Sequence, residues 1–160
     1  MTRQPETAGS AGGFEAATGD GPRLDRGGRG AEVGTAFEGL LQIRRLTHTG
    51  SGDPVSVPAA WERRSPVRAV ALALEAAGLA ASAVDGAGER IATGYRVTPG
   101  EPPGTVRVEW LGPRGDGADL RAERALTECA AALAPLGWEA LLYRGPRNRR
   151  FLEVEPVPGP

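Results

Sequence analysis

The stretch RIATGYRVTPGEPPGTVRVEWL, residues 90–111, holds two runs of alternating apolar and polar residues on either side of a turn. A period of two is typical of a strand with one buried face, and the central TPGEPPG is rich in turn-forming Pro and Gly. The alternation places one set of residues on the buried face: Ile91, Thr93, Tyr95, Val97, Val106, Val108 and Trp110. We therefore predict a β-hairpin.

A helix is predicted just before this hairpin. Ser65-Pro66 pairs a good N-cap residue with a first-turn proline, and Gly78 is typical of a helix terminator. The apolar residues between them form one stripe at helical spacing: Val67, Val70, Ala71, Leu74 and Ala77.

The same order then repeats along the chain. A second apolar stripe contains Ala122, Leu126, Cys129, Leu133 and Leu136, and Pro135 and Gly137 end that helix. WEALLYR (138–144) and RFLEVEP (150–156) predict two strands joined by the turn GPRN. The order αββαββ predicts an α+β two-layer sandwich with two helices on one face of a four-stranded antiparallel sheet. Its topology resembles a circularly permuted ferredoxin-like sheet, and the other sheet face is open.

Four segments are predicted along the chain. Residues 1–35 are expected to be a disordered Gly-rich tail, because their only large apolar residues after Met1 are Phe14, Leu24 and Val33. Residues 36–64 are expected to be a linker with a short helix at AFEGLLQIRRL, anchored by Trp61. The α+β domain spans 65–156, and 157–160 form a C-terminal tail.

Composition restricts location and function. The net charge is -1, and no stretch approaches the 18 apolar residues of a membrane span. The first ten residues lack the features of a signal peptide, so we expect a cytoplasmic protein without a membrane partner. All 19 basic residues are Arg and none is Lys, while Ile and Asn are also scarce. Joint depletion of these three indicates the high-GC genome of a bacterium rather than nucleic-acid binding.

Common catalytic and metal-binding patterns are missing from the sequence. The single Cys129 falls on an apolar stripe, and the single His48 falls in a predicted loop, so neither a catalytic pair nor a zinc site is expected. GGRGAEVG (27–34) has spaced glycines, but no strand is predicted before it. A nucleotide-binding loop needs that strand, so this segment is not expected to bind a nucleotide. The acidic cluster Asp116, Asp119, Glu123 and Glu128 is typical of a solvated helix face. We expect no catalytic residue, metal or cofactor.

Two arginine-rich groups are the candidate binding sites. The last hairpin turn is surrounded by Tyr143, Arg144, Arg147, Arg149, Arg150 and Phe151. Alternation also places Arg90, Arg96 and Arg107 on the open sheet face, where Phe151 could join them. The alternative for both groups is a solvated surface whose charges discourage edge pairing.

These groups favour a small non-enzymatic binding or regulatory module that recognises a macromolecule, with a protein as the expected partner. A nucleic-acid-binding accessory protein using the same arginines is the first alternative. A small enzyme with a pocket of Arg, Tyr and Glu is the second. The open sheet face would also allow homo-oligomers to form.

Overall fold

The computed structural model describes residues 14–24, 26–50 and 52–158, which form an α+β fold with two antiparallel sheets. The helices of these ranges are α1 (Arg29–Thr47), α2 (Ala60–Arg64), α3 (Pro66–Ala76) and α4 (Ala118–Leu133). The strands are β1 (Ala83–Val84), β2 (Arg90–Ala92), β3 (Gly94–Pro99), β4 (Val106–Leu111), β5 (Trp138–Arg144) and β6 (Arg150–Pro156). Short 3₁₀ turns occupy Pro54–Ser56, Ala134–Leu136 and Pro146–Asn148. Among the helices of these ranges, none combines the length and the apolar character that a transmembrane helix needs.

The larger sheet has the strand order β3-β4-β6-β5, with every neighbouring pair antiparallel. Both predicted hairpins are confirmed, β3 with β4 and β5 with β6. Three register pairs matter below, namely Arg96 opposite Glu109, Arg107 opposite Glu153, and Tyr143 opposite Phe151. The predicted α+β class and its four-stranded antiparallel sheet are therefore confirmed.

The predicted strand 90–97 is wrong in one respect, because it divides into β2 and β3. β2 pairs with β1 in a separate two-stranded sheet, so Ile91 lies outside the main core. The division falls just before Gly94, where a Cβ would collide with the backbone of Ala80 and Ala81. The Tyr95 N–H donates to the Ala80 oxygen at 2.9 Å, so the edge of β3 contacts the loop that follows α3.

The core lies between one face of the sheet and helices α3 and α4. Tyr95, Val108, Leu152 and their neighbours on the sheet are fully or almost fully buried, as is Cys129 on α4. On α3 the buried residues run without a break over 69–74, rather than in one stripe as predicted. The outward side of α3 is buried because α1 covers it, with Leu72 packing against Val33 and Leu40.

The N-terminal part of the fold differs from the predicted tail and linker. α1 begins at Arg29, so it crosses the predicted boundary at residue 35 and is longer than the short helix expected. The N-terminal segment, which we define as residues 14–21, contacts the sheets through backbone hydrogen bonds. The Thr18 oxygen accepts from Val97 N–H at 2.7 Å, and the Gly21 oxygen accepts from Val84 N–H at 2.9 Å. Phe14 and Ala16 also pack against the core, but most of the contacts are made by backbone groups, so composition gave little signal of this order. Residues 1–13 of the predicted tail lie outside the described residues.

A buried ion pair joins α1 to α2. The Arg44 guanidinium donates two hydrogen bonds to the Glu62 carboxylate, at 2.6 and 2.8 Å, and both side chains are at most 1% exposed. Its remaining donor binds the backbone oxygens of Val55 and Leu136. The carboxylate also accepts from Ala59 N–H at 3.0 Å. This network attaches the predicted linker firmly to the domain, together with the half-buried Trp61.

Beyond β6 the chain continues along the sheet for one more residue. The Val157 N–H donates to the Gly137 oxygen at 2.9 Å, and the Val157 oxygen accepts from Arg63 at 3.3 Å. The predicted boundary at 157 is one residue too early, because the bond of Val157 extends the β5–β6 ladder. Residues 159–160 lie outside the described part of the chain.

Candidate functional site

The end of the β5–β6 hairpin extends beyond the helical layer and exposes side chains on both faces. Leu141, Leu142 and Tyr143 are each more than 40% exposed, although they belong to a strand. At the tip, Arg149 N–H donates to the Pro146 oxygen at 3.3 Å and closes a four-residue turn. The two central residues, Arg147 and Asn148, both have left-handed backbones with φ of 61° and 62°. That geometry suits a hairpin, but it strains a residue such as arginine by about 1–2 kcal/mol.

An aromatic and arginine stack lies beside this turn on the outer face of the sheet. The Arg107 guanidinium lies 3.8 Å from the ring centroid of Phe151. The Phe151 ring stacks on Tyr143, with centroids 5.7 Å apart and planes at 25°. The stack thus has three layers, and each layer comes from one of three neighbouring strands. Arg107 and Phe151, both candidates for the open face, are therefore in contact.

The four predicted hairpin arginines differ in their surroundings. Arg150 pairs with Glu123 of α4 at 3.0 Å. Arg144, Arg147 and Arg149 are exposed and form no ion pair with any described residue. We define the hairpin surface as Arg107, Tyr143, Arg144, Arg147, Arg149 and Phe151. Its three exposed guanidinium groups have no ion pair in the described structure. Arg144 shares the helix-side face with Arg150, whereas the aromatic pair lies on the other face.

Two of the arginines predicted for the open face are engaged within the fold. Arg90 lies on β2, outside the main sheet, where it binds Asp20 at 2.7 Å, the Gly19 oxygen and Ser82. Its expected place on the open face is therefore wrong, because the strand divides before Gly94. Arg96 does face outward, but it binds Glu109 at 2.5 Å and lies 3.7 Å from Asp20.

Cys129 and His48, which were not expected to be catalytic, lie in different surroundings. Cys129 is fully buried in the core as predicted, and burial raises the pKa of its thiol to about 12. A thiol with that pKa stays protonated at neutral pH and is a poor nucleophile. The His48 ring lies at the end of α1, with Nδ1 3.2 Å from the Arg44 oxygen. In the ranges that the structure covers, no three His, Cys, Asp or Glu residues are grouped as a metal would require.

Gly28, Gly30 and Asp116, which were singled out in the sequence, each have a structural role. Gly28 is the N-cap of α1 and Gly30 lies inside the helix, with no strand among the described residues that precede it. Asp116 accepts a short hydrogen bond from Thr93 and pairs with Arg121 at 3.1 Å. These contacts hold the loop before α4 against the end of β2.

An open groove of about 1340 Å³ lies between the N-terminal segment, α1 and α3. Its most buried carboxylate, Glu75, accepts two hydrogen bonds from Arg29, each 2.7 Å long. Glu75 also accepts from Ala17 N–H at 3.1 Å. The hydrogen bond to Glu75 raises the pKa of Arg29, so this guanidinium stays charged. This carboxylate secures the N-terminal segment and has little capacity left for a substrate.

The same sheet face also has an acidic part, which was not among the predicted sites. Glu139, Glu153 and Glu155 point outward by alternation with the buried Leu152 and Val154. Glu139 and Glu155 lie directly opposite each other, although like charges in that arrangement are destabilising. The alternation of residues along β5 and β6 could have placed Glu139 and Glu155 on this face. The outer face is therefore basic and aromatic at the turn end, and acidic at the other.

Comparison with models of protein families, with curated proteins and with solved structures found no match to this chain.

Proposed function

We propose that this protein is a non-enzymatic binding module whose hairpin surface recognises an acidic segment of a protein partner. The observation that carries the proposal is the Arg107–Phe151–Tyr143 stack. It lies beside the turn that carries Arg147 and Arg149, neither of which has an ion pair in the described structure. Tyr and Arg are the residues that contribute most binding energy at protein interfaces. Guanidinium groups bind carboxylates with two parallel hydrogen bonds, which gives both attraction and geometry.

A protein partner fits the charges of this face better than nucleic acid does. Glu153 lies opposite Arg107, and Glu139 and Glu155 follow further along the sheet. A phosphate backbone crossing the sheet would meet these carboxylates after leaving the turn. The basic region therefore suits a short acidic segment, with the exposed Leu141 available for an apolar contact beside it.

The enzyme alternative has less support. Its best location would be the groove beside the N-terminal segment, yet Glu75 is held there by Arg29 and Ala17. The groups whose pKa burial raises most, Tyr95 and Cys129, lie inside the core rather than in the groove.

The architecture behind this proposal is a two-layer sandwich with the circularly permuted ferredoxin-like topology. The order β3-β4-β6-β5 and the packing of α3 and α4 on one sheet face support it. A cytoplasmic location agrees with the single free cysteine.

The test compares two double variants that remove the same charge. Arg107→Ala/Arg147→Ala removes one member of the stack and one turn arginine. Arg114→Ala/Arg124→Ala removes two exposed arginines from the region of α4 and serves as the matched control. Immobilised full chain of each form is incubated with native lysate, and captured proteins are compared by quantitative mass spectrometry. The dissociation constant is then measured for each purified candidate.

We expect a protein that wild type and control retain, with affinity at least tenfold lower for the hairpin variant. Its contacting segment should be rich in Asp and Glu. Labelled oligonucleotides are tested in parallel by fluorescence anisotropy at several salt concentrations. Binding of oligonucleotides that only the hairpin variant loses, with no such protein, would replace this proposal by nucleic-acid recognition.

A further inference from the structure

The larger sheet has one edge with which no described strand pairs, although the backbone of Ser56 lies against Gly137 just before that edge strand. At the β3 edge, Thr18 accepts a hydrogen bond from Val97 N–H and Ala80 accepts one from Tyr95 N–H. At the opposite edge β5 pairs only with β6. β5 spans seven residues and has neither a proline nor a lysine to discourage pairing. An open strand of this kind is a template for another strand.

The ladder shows which backbone groups of β5 point outward. Gly145 N–H donates to the Arg149 oxygen, and Val157 N–H donates to the Gly137 oxygen. Hydrogen-bonded residues alternate along an antiparallel pair, so the odd-numbered residues of β5 bond to β6. The even-numbered residues therefore turn their N–H and C=O groups to the free edge, with Leu142 near the centre.

Side chains along this edge are arranged in three zones. The exposed Leu141, Leu142 and Tyr143 form an apolar middle. At one end lie Glu139 and Glu155, and at the other lie Arg144, Arg147 and Arg149. None of these five charged residues has an ion-pair partner in the described part of the chain. The edge is thus acidic, then apolar, then basic.

We propose that a second copy of this chain binds here, with the two β5 strands antiparallel about a two-fold axis at Leu142. An antiparallel copy places the acidic end of one chain at the basic end of the other, so a self-complementary edge favours this occupant. Pairing about Leu142 joins even-numbered residues, whose backbone groups are free. It also places Leu142 on its symmetry mate and Leu141 on Tyr143 of the other copy, so apolar side chains contact apolar side chains.

The register also joins opposite charges in one row. Glu139 of one copy lies opposite Gly145 of the other, and Gly145 is hydrogen-bonded to Arg149 on the next strand. Alternation puts Glu139 and Arg149 on the same face, two strand spacings or about 10 Å apart. Because Gly145 has no side chain, extended Glu and Arg side chains can meet above it. A shift of register by two residues would lose this pairing.

The inference does not depend on the proposed function. Dimerisation needs the β5 backbone, Leu142 and the end charges, whereas partner binding rests on Arg107, Phe151 and the turn. The single variant Arg107→Ala lies on β4 and leaves every charge of the edge in place, so it should dimerise like wild type. Failure of one proposal leaves the other standing, and a dimer would carry two hairpin surfaces.

The central experiment exchanges charges between copies. Sedimentation velocity is measured on the full chain from about 1 μM to about 500 μM, since a single-strand interface belongs to the weak class. Glu139→Arg places Arg against Arg149 at both ends of the dimer, and Arg149→Glu places Glu against Glu139. Each variant alone should dimerise at least tenfold more weakly than wild type. An equimolar mixture should recover wild-type association, because both ends of the mixed dimer then join opposite charges.

A second pair of variants tests the apolar centre. Leu142→Lys places a charge on the two-fold axis and should abolish the dimer. Leu120→Lys, at a leucine of α4 that is 87% exposed, makes the same change elsewhere and should have no effect. A wild-type chain that stays monomeric at the highest concentration would overturn the proposal. A dimer that ignores both Leu142→Lys and the charge exchange would also overturn it.

Discussion

Removing Arg44 tests how the N-terminal helix is fastened to the domain. In Arg44→Met the apolar stem is retained, but the buried Glu62 carboxylate loses both hydrogen bonds of 2.6 and 2.8 Å. Only Ala59 N–H, at 3.0 Å, still binds it. Breaking a buried ion pair from one side costs about 3–5 kcal/mol, because an uncompensated charge remains inside. That is a large share of the about 5–15 kcal/mol by which folded domains are stable.

The assay is chemical denaturation followed by circular dichroism and tryptophan fluorescence. For a chain of this size, 3–5 kcal/mol corresponds to a thermal midpoint lowered by about 6–20 °C. Trp61, one of three tryptophans, lies next to Glu62 in sequence and contributes to the fluorescence signal.

The double variant Arg44→Met/Glu62→Met separates charge from packing. It removes both charges and leaves only neutral backbone groups of Val55, Leu136 and Ala59 without their partners. We expect it to lose about 1–3 kcal/mol, which is less than either single variant loses. A double variant as unstable as the sum of the singles would refute the reasoning. So would a loss below about 1 kcal/mol in Arg44→Met.

Three further predictions follow from single positions. Gly19→Ala should lower the unfolding free energy by more than about 1 kcal/mol in a denaturant titration, because φ is +98° and the new Cβ would collide with the backbone of Tyr95. Gly21→Ala has open space around it and should be nearly neutral in the same titration. Arg147→Gly should raise the thermal midpoint by relieving about 1 kcal/mol of left-handed strain, and an unchanged midpoint would contradict the turn geometry. Because the pKa of Cys129 is raised by burial to about 12, the unfolded thiol ionises first, so stability should fall with rising pH. Between about pH 8 and pH 10 wild type should lose about 1 kcal/mol more than Cys129→Ala, and equal losses would place the thiol outside the core.

The local patterns that depend on nearest neighbours were readable in the sequence. Alternation located β4, β5 and β6, and Ser65-Pro66 located the start of α3. The stripe through Cys129 correctly predicted a buried helix face. Strand and helix periods decide which side chains share a face, and that information is contained in a few consecutive residues. The same periodicity brought Arg107, Phe151 and Tyr143 to one surface.

Contacts between distant residues were decided only by the tertiary structure. Residues 14–21 have few apolar side chains, and they are ordered by backbone bonds to Val97 and Val84, which no composition reveals. Burial of the Arg44 charge is tolerable because Glu62 and two backbone carbonyls, all distant in sequence, approach its guanidinium. Arg90 left the open face because Gly94 packs on a loop that comes earlier in the chain. The local sequence pattern predicts which way a side chain points. Its neighbours depend on which distant residues the fold places on that side, and the free energy of placing the side chain there depends on those neighbours.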